Sequence, residues 1–186
     1  MAITHAPLTL EEFLRRPEEE PALEYEEGRI TQKVSPKGRH GALQVALAEF
    51  VNRFARPRRL ARAFTETRTT FAGASRVPDV VVYRWERIPA SPSGEIADDF
   101  LTPPDLAVEI VSPEQSVNSL VRRCLWYVAH GVQAALLVDP SDRSLVLFRP
   151  DAAPHPLTDA EPLLLPDLLP GFQLTPHDLF AELRLQ

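Results

Sequence analysis

Two carboxylates set inside apolar runs are the residues of this chain best placed to do chemistry. Asp79 lies in Arg76-Val77-Pro78-Asp79-Val80-Val81-Val82-Tyr83, and Glu109 in Leu106-Ala107-Val108-Glu109-Ile110-Val111. Both runs have the composition of strands covered on two faces, where an ionised carboxylate without a partner is strongly disfavoured. Two such groups on neighbouring strands call for a shared counter-charge, and a divalent cation held by oxygen ligands supplies it most simply. Such an ion polarises a phosphoryl oxygen and lowers the pKa of bound water. The bland readings are a turn feature for Pro78-Asp79 and a basic partner on a covering helix for Glu109.

A second group is basic. Arg53, Arg56, Arg58, Arg59 and Arg62 crowd together, with Arg68 and Arg76 following. The chain's net charge is −6, so any nucleic-acid contact must come from a local patch, and this is the candidate. Its competing reading is a solvated helix end, where the dipole favours arginine. No aromatic interleaving suggests stacking on single strands. His5, His130, His155 and His177 show no metal-ligand spacing with one another. The lone cysteine, Cys124, excludes an internal disulfide and a cysteine zinc site; it reads as core, and its solitude fits a reducing cytoplasm. Neither a phosphate-binding glycine loop nor a dinucleotide fingerprint is present.

The elements that must position these residues follow from local pattern. Thr9-Leu10-Glu11-Glu12 matches a capping box opening a short helix through Arg16. Leu23 to Tyr25 and Arg29 to Val34 read as a hairpin turning near Gly28. Leu43, Ala46, Leu47, Phe50, Val51 and Phe54 form one apolar stripe of a helix from His40 to Phe54, ended by Pro57. Phe64 to Phe71 alternates as a strand, and Gly73 turns it into the Pro78-Asp79 strand. Residues 89–104, rich in proline, serine and acidic side chains, form a surface loop. After the Leu106 to Val111 strand comes a second helix with Leu120, Val121, Cys124, Leu125 and Val128 on its apolar face and Gly131 as terminator. Strands over 134–138 and 144–148 and a C-terminal helix capped by Thr175 complete the chain. The order predicts a single α/β (α+β) domain over residues 1–186, with a central mixed β-sheet flanked by helices. Nineteen prolines against seven glycines, and lysine only at Lys33 and Lys37, fit a thermophilic source or a GC-rich genome. No stretch approaches the ~20 apolar residues of a membrane span.

The ordered set Pro78-Asp79, Asp105-Leu106-Ala107-Val108-Glu109-Ile110-Val111-Ser112-Pro113, a helix with Tyr127 and Gly131, and Leu137-Val138-Asp139-Pro140 resembles the Uma2 family of endonucleases. So do Leu8-Thr9-Leu10-Glu11-Glu12-Phe13, Glu24 with Gly28, Ser35-Pro36 with His40, and Leu169-Pro170-Gly171-Phe172. The resemblance covers nearly the whole chain. It implies the restriction-endonuclease-like fold of the PD-(D/E)xK superfamily and Mg²⁺- or Mn²⁺-dependent hydrolysis of phosphodiester bonds, in DNA, by metal-activated water. It maps Asp79, Glu109 and the carbonyl of Ile110 onto the metal ligands and sets Glu24 and His40 near the cleft. The superfamily lysine should follow the glutamate by two residues, where Val111 stands; the family's basic residue on the next helix falls on Arg123. Arginine cannot shed its proton to act as a base, so Arg123 would stabilise charge on the phosphoryl group. Alternatively, Arg123 is a structural partner of Glu109 in an inactive nuclease-fold protein that binds nucleic acid or another protein. A hydrolase of smaller phosphoesters is the third reading. A cytoplasmic homodimer or higher homo-oligomer is expected, because nucleases that cut duplexes often work in pairs.

Overall fold

The structure is a computed structural model and describes residues 8–185. His5 therefore lies outside the described residues. Thr9 caps helix α1 (Leu10–Leu14): its hydroxyl accepts from the Glu12 N–H while the Glu12 carboxylate accepts from the Thr9 N–H. Phe13 of α1 packs on Tyr25 with ring centroids 5.5 Å apart. Strands β1 (Leu23–Glu26) and β2 (Arg29–Gln32) form the expected hairpin. Its turn residues Glu27 and Gly28 have φ of 47° and 79°, the left-handed region that a two-residue turn matching the strand twist requires. Helix α2 (Gly38–Ala55) buries Leu43, Ala46, Leu47 and Val51, as its stripe predicts.

Two runs that read as single strands are each divided. The Phe64 to Phe71 run splits into β3 (Ala61–Thr65) and β4 (Thr69–Phe71), with Glu66 between them at φ 48°. The Arg76 to Tyr83 run splits into β5 (Ala74–Arg76) and β6 (Val80–Arg84), separated by Val77-Pro78-Asp79. Pro78 has no N–H to offer a ladder, so pairing lapses there. The outer pieces β3 and β6 join one sheet and the inner pieces β4 and β5 the other. The elements then run β7 (Leu106–Ile110), α3 (Val117–Ala129), β8 (Ala134–Asp139), β9 (Ser144–Phe148), the unforeseen β10 (His155–Leu157), and α4 (Pro176–Ala181), capped by Thr175 as expected.

There are thus two sheets among the described residues, where one was expected. The larger has six strands ordered β10-β9-β8-β7-β6-β3 and is mixed, with β7 and β8 parallel across the α3 crossover. The smaller, β2-β1-β5-β4, is antiparallel. Side chains alternate across β7. Leu106, Val108 and Ile110 join the core under α2, and Ala107 joins the core under α3. Glu109 shares the second face, so its side chain must meet α3. On α3 the buried stripe is Leu120, Cys124 and Tyr127; Leu125, expected on the apolar face, is 43% exposed because it sits about 100° around the helix from Cys124.

Candidate active site and metal centre

The antiparallel pairing of β6 with β7 brings the two carboxylate-bearing segments together. The Asp79 N–H donates to the Val108 carbonyl at 3.1 Å, and the Ile110 N–H donates to Asp79 Oδ2 at 2.6 Å. Asp79 is 2% exposed and Glu109 3%. Their immediate surroundings differ.

Around Asp79 the partners are titratable and come from β2's end and from α2. Asp79 Oδ1 lies 2.7 Å from Lys33 Nζ and 3.1 Å from His40 Nε2. Lys33 Nζ also lies 2.6 Å from Glu66 Oε2. Gln44, one turn after His40, donates to Glu66 Oε1 at 2.7 Å and to the Asp79 carbonyl at 2.8 Å. His40 Nδ1 is 3.0 Å from Ser112 Oγ. Burial would raise the Asp79 pKa, but the His40 imidazole and the Lys33 ammonium outweigh it and hold the carboxyl below its ordinary value. Burial would likewise lower Lys33, yet the charges of Asp79 and Glu109 raise it, so the ammonium stays protonated.

Around Glu109 the partners are fixed on α3. Arg123 Nε donates to Glu109 Oε1 at 2.6 Å, and the Tyr127 hydroxyl donates to the same oxygen at 2.7 Å. The two terminal nitrogens of Arg123 grip both oxygens of Glu24, which also accepts the Val77 N–H at 2.7 Å. Among the described residues, no hydrogen bond reaches Glu109 Oε2. Burial pushes the Glu109 pKa up to about 7, with the charges of Asp79 and Glu24 adding to it and Arg123 opposing. Glu24 is held below its ordinary value: burial alone would raise it, and the bidentate Arg123 prevails.

Asp79, Glu109, Glu24, Arg123 and His40 are thus assembled in one buried region. Lys33, Glu66 and Gln44 were not foreseen. Lys33 carried one faint signal, being one of two lysines in a chain whose other bases are arginine; Glu66 carried none, sitting inside a run that reads as a continuous strand. The arginine cluster stands apart. Arg53 is more than three helical turns from His40 along α2, roughly 20 Å. Arg58 stacks over Phe54 at 4.4 Å, Arg59 over Trp85 at 5.4 Å and Arg62 over Phe64 at 5.2 Å, and Arg56 caps the helix end. A groove of about 540 Å³ opens on the Glu109 side, between the β1–β2 hairpin and α3; Glu24, Thr31, Arg76, Arg122, Arg123 and Trp126 line it.

The sequence profile of Uma2, described as "Putative restriction endonuclease", matches residues 10–177. The chain belongs to the Uma2 family. A crystal structure of a "putative nuclease belonging to DUF820" from Anabaena variabilis superimposes on it with a TM-score of 0.91 at 40% identity, covering 96% of this chain and all of that one. No curated protein matches the chain. The fold of this Uma2 protein is accordingly that of a nuclease family, with the mixed sheet and flanking helices that its sequence led us to expect. Divalent metals are the usual cofactors of restriction-endonuclease-like enzymes, and the acidic and imidazole groups around Asp79 are of a kind that could hold one. No helix among the described residues is long and apolar enough to cross a membrane.

Proposed function

We propose that this Uma2 protein is a Mg²⁺- or Mn²⁺-dependent endonuclease that hydrolyses phosphodiester bonds in DNA. One observation carries the reading: two buried carboxylates lie on hydrogen-bonded neighbouring segments, with Asp79 Oδ1 faced only by Lys33 and His40 and Glu109 Oε2 accepting no hydrogen bond among the described residues. A cation is the group that such oxygens accept best, and it would also satisfy the charge that keeps Glu109 proton-hungry. Asp79 and Glu109, with the Ile110 carbonyl, would hold it. When bound, the ion supplies a Lewis acid for the phosphoryl group and a water activated for attack.

The chain's own groups then divide the work. The Ile110 N–H fixes the Asp79 carboxylate. Arg123 has every nitrogen committed to Glu109, Glu24 and Tyr127, so it positions Glu109 and does not reach for phosphate. Lys33 is the ammonium beside Asp79, and a phosphate oxygen entering the site would compete for it with Glu66. The arginines at the end of α2 stand roughly 20 Å away, about six base steps along a duplex, which suits flanking phosphates. A cytoplasmic homodimer would present one such site to each strand.

The test is nicking of supercoiled plasmid with Mg²⁺ or Mn²⁺ by wild type, Asp79→Ala and Glu109→Ala. Wild type should nick and both variants should fall to background, a loss of roughly a thousandfold or more. Nicking that survives both substitutions defeats the proposal. The second reading, a non-catalytic nucleic-acid-binding module, is favoured by the Lys33 ion pair that closes over Asp79. A salt-dependent band shift without cleavage in either metal would select it. Each arginine of the α2 end replaced by alanine should then reduce the salt slope of binding by about 1.

A further inference from the structure

Beside the Asp79–Glu109 pair lies a second set of ligand atoms. One each from His40, Glu66 and Asp79 falls within 4.8 Å of the other two, and Glu109 is not among them. His40 and Asp79 are 4% and 2% exposed, and Glu66 opens to solvent. The two innermost atoms, His40 Nε2 and Asp79 Oδ1, are buried and 3.1 Å apart, yet neither has a hydrogen bond of proper alignment. A buried polar atom left in that condition is rare.

The imidazole's other nitrogen says why. His40 Nδ1 faces the Ser112 hydroxyl at 3.0 Å. When Nδ1 carries the proton and donates it there, Nε2 turns a lone pair toward the carboxylate, and a cation reconciles the two. A ring nitrogen anchored by a hydrogen bond while its partner points at acceptors is the usual arrangement of a metal-binding histidine. The positive charge there is provided by Lys33, whose ammonium sits 2.7 Å from Asp79 Oδ1 and 2.6 Å from Glu66 Oε2. One ammonium there answers two carboxylates.

We infer that His40 Nε2, Asp79 Oδ1 and Glu66 form a cation site of their own, with Lys33 as its resident counter-ion, displaced when a divalent ion enters. The nitrogen donor sets the selectivity. Mg²⁺ holds to oxygen ligands in near-ideal octahedra, whereas first-row transition ions accept imidazole, so Mn²⁺ binds here in preference to Mg²⁺. The inference rests on the metal-dependent reading above, and Asp79 is shared between the two positions.

Electron paramagnetic resonance of Mn²⁺ added to the metal-free full-length protein tests it. Spin-echo modulation from a directly bound ¹⁴N should be present in wild type and absent in His40→Gln. Lys33→Gln should tighten the nitrogen-coordinated Mn²⁺ by roughly tenfold, since its competitor is gone, and Glu66→Gln should weaken it by a similar factor. Glu66 is half-exposed and its variant is expected to fold, so it keeps the test decisive should His40→Gln fail to. Mn²⁺ bound without nitrogen modulation, in an amount that depends on Glu109 and not on Glu66 or Lys33, overturns this inference and leaves the metal-dependent reading standing. No Mn²⁺ binding in any of the proteins overturns both.

Discussion

Asp79 and Glu109 are almost equally buried, lie on hydrogen-bonded neighbouring segments and carry the same group, yet their electrostatics are opposite. Asp79 is faced by two separate side chains: Lys33, just past the small sheet's hairpin, and His40 from the first turn of α2. Together they overcome the burial that would protonate it. Glu109 faces one rigid partner, Arg123, and that partner is shared. Two of its three nitrogens serve Glu24, and what remains for Glu109 does not offset full burial plus two neighbouring carboxylates. The lesson is one of stoichiometry: a guanidinium divided between two acids leaves one of them short of charge, and a short acid is where an added cation gains most.

The largest effect should come from removing the shared guanidinium. Arg123→Met strands Glu24 and Glu109 as buried carboxylates and should cost about 3–5 kcal/mol, read from the urea midpoint. Lys33→Met should cost less, about 1–3 kcal/mol, because Asp79 keeps the Ile110 N–H. Equal losses would dissolve the contrast between the counter-charges of the two carboxylates.

Next in size is the dependence of stability on pH. The Glu109 pKa stands at about 7 against an ordinary 4.5. Between those values the folded protein holds a proton that the unfolded chain has released, so stability falls as pH rises from about 4.5 to about 7 and then levels. The gap is worth at most ~3 kcal/mol. Asp79 works the other way: its contribution is present above its ordinary value and is lost only as pH falls through the lowered one. Urea unfolding of metal-free protein across pH 4.5 to 8 should therefore slope downward, and Glu109→Gln should flatten the line. An unchanged slope in the variant would assign the titration elsewhere. Saturating Mn²⁺ should also flatten it, by supplying the missing charge.

Much of this arrangement is legible in the sequence, and the boundary is instructive. Helices α1, α2 and α4 are written in local signals: a capping box at Thr9, an apolar stripe from Leu43 to Phe54, Thr175 followed by Pro176. The strands bearing Val80 to Tyr83 and Leu106 to Ile110 announce themselves by continuous apolar composition. The division into two sheets was not legible, because β4 and β5 have three residues each and too short a pattern to separate from their neighbours. Pro78 was the one available clue, as a residue that cannot serve a ladder. The pairing of Asp79 with Glu109 came through family resemblance as well as composition. Lys33 and Glu66 come from different elements and reach Asp79 only through tertiary packing, so no spacing rule could place them. Arg123 is the basic residue that the family resemblance sets on the helix after Glu109, but its division with Glu24 depends on the small sheet, which no local pattern reveals.

The smallest expected effect isolates the last support of Glu109. Its Oε1 accepts from the Tyr127 hydroxyl as well as from Arg123, and the hydroxyl favours the ionised carboxylate. Tyr127→Phe keeps the buried ring and removes that donor together with the oxygen that accepts from Arg123 Nε, at a cost of about 1 kcal/mol. Because the ionised form loses support while the protonated form does not, the Glu109 titration should move further up, and the downward slope of stability should extend above pH 7. The Asp79 end has no contact with Tyr127 among its hydrogen bonds and should keep its acid limb unchanged. A shift of both limbs together would mean that the two carboxylates titrate as one unit, and the contrast between them would then belong to the pair and not to its separate partners.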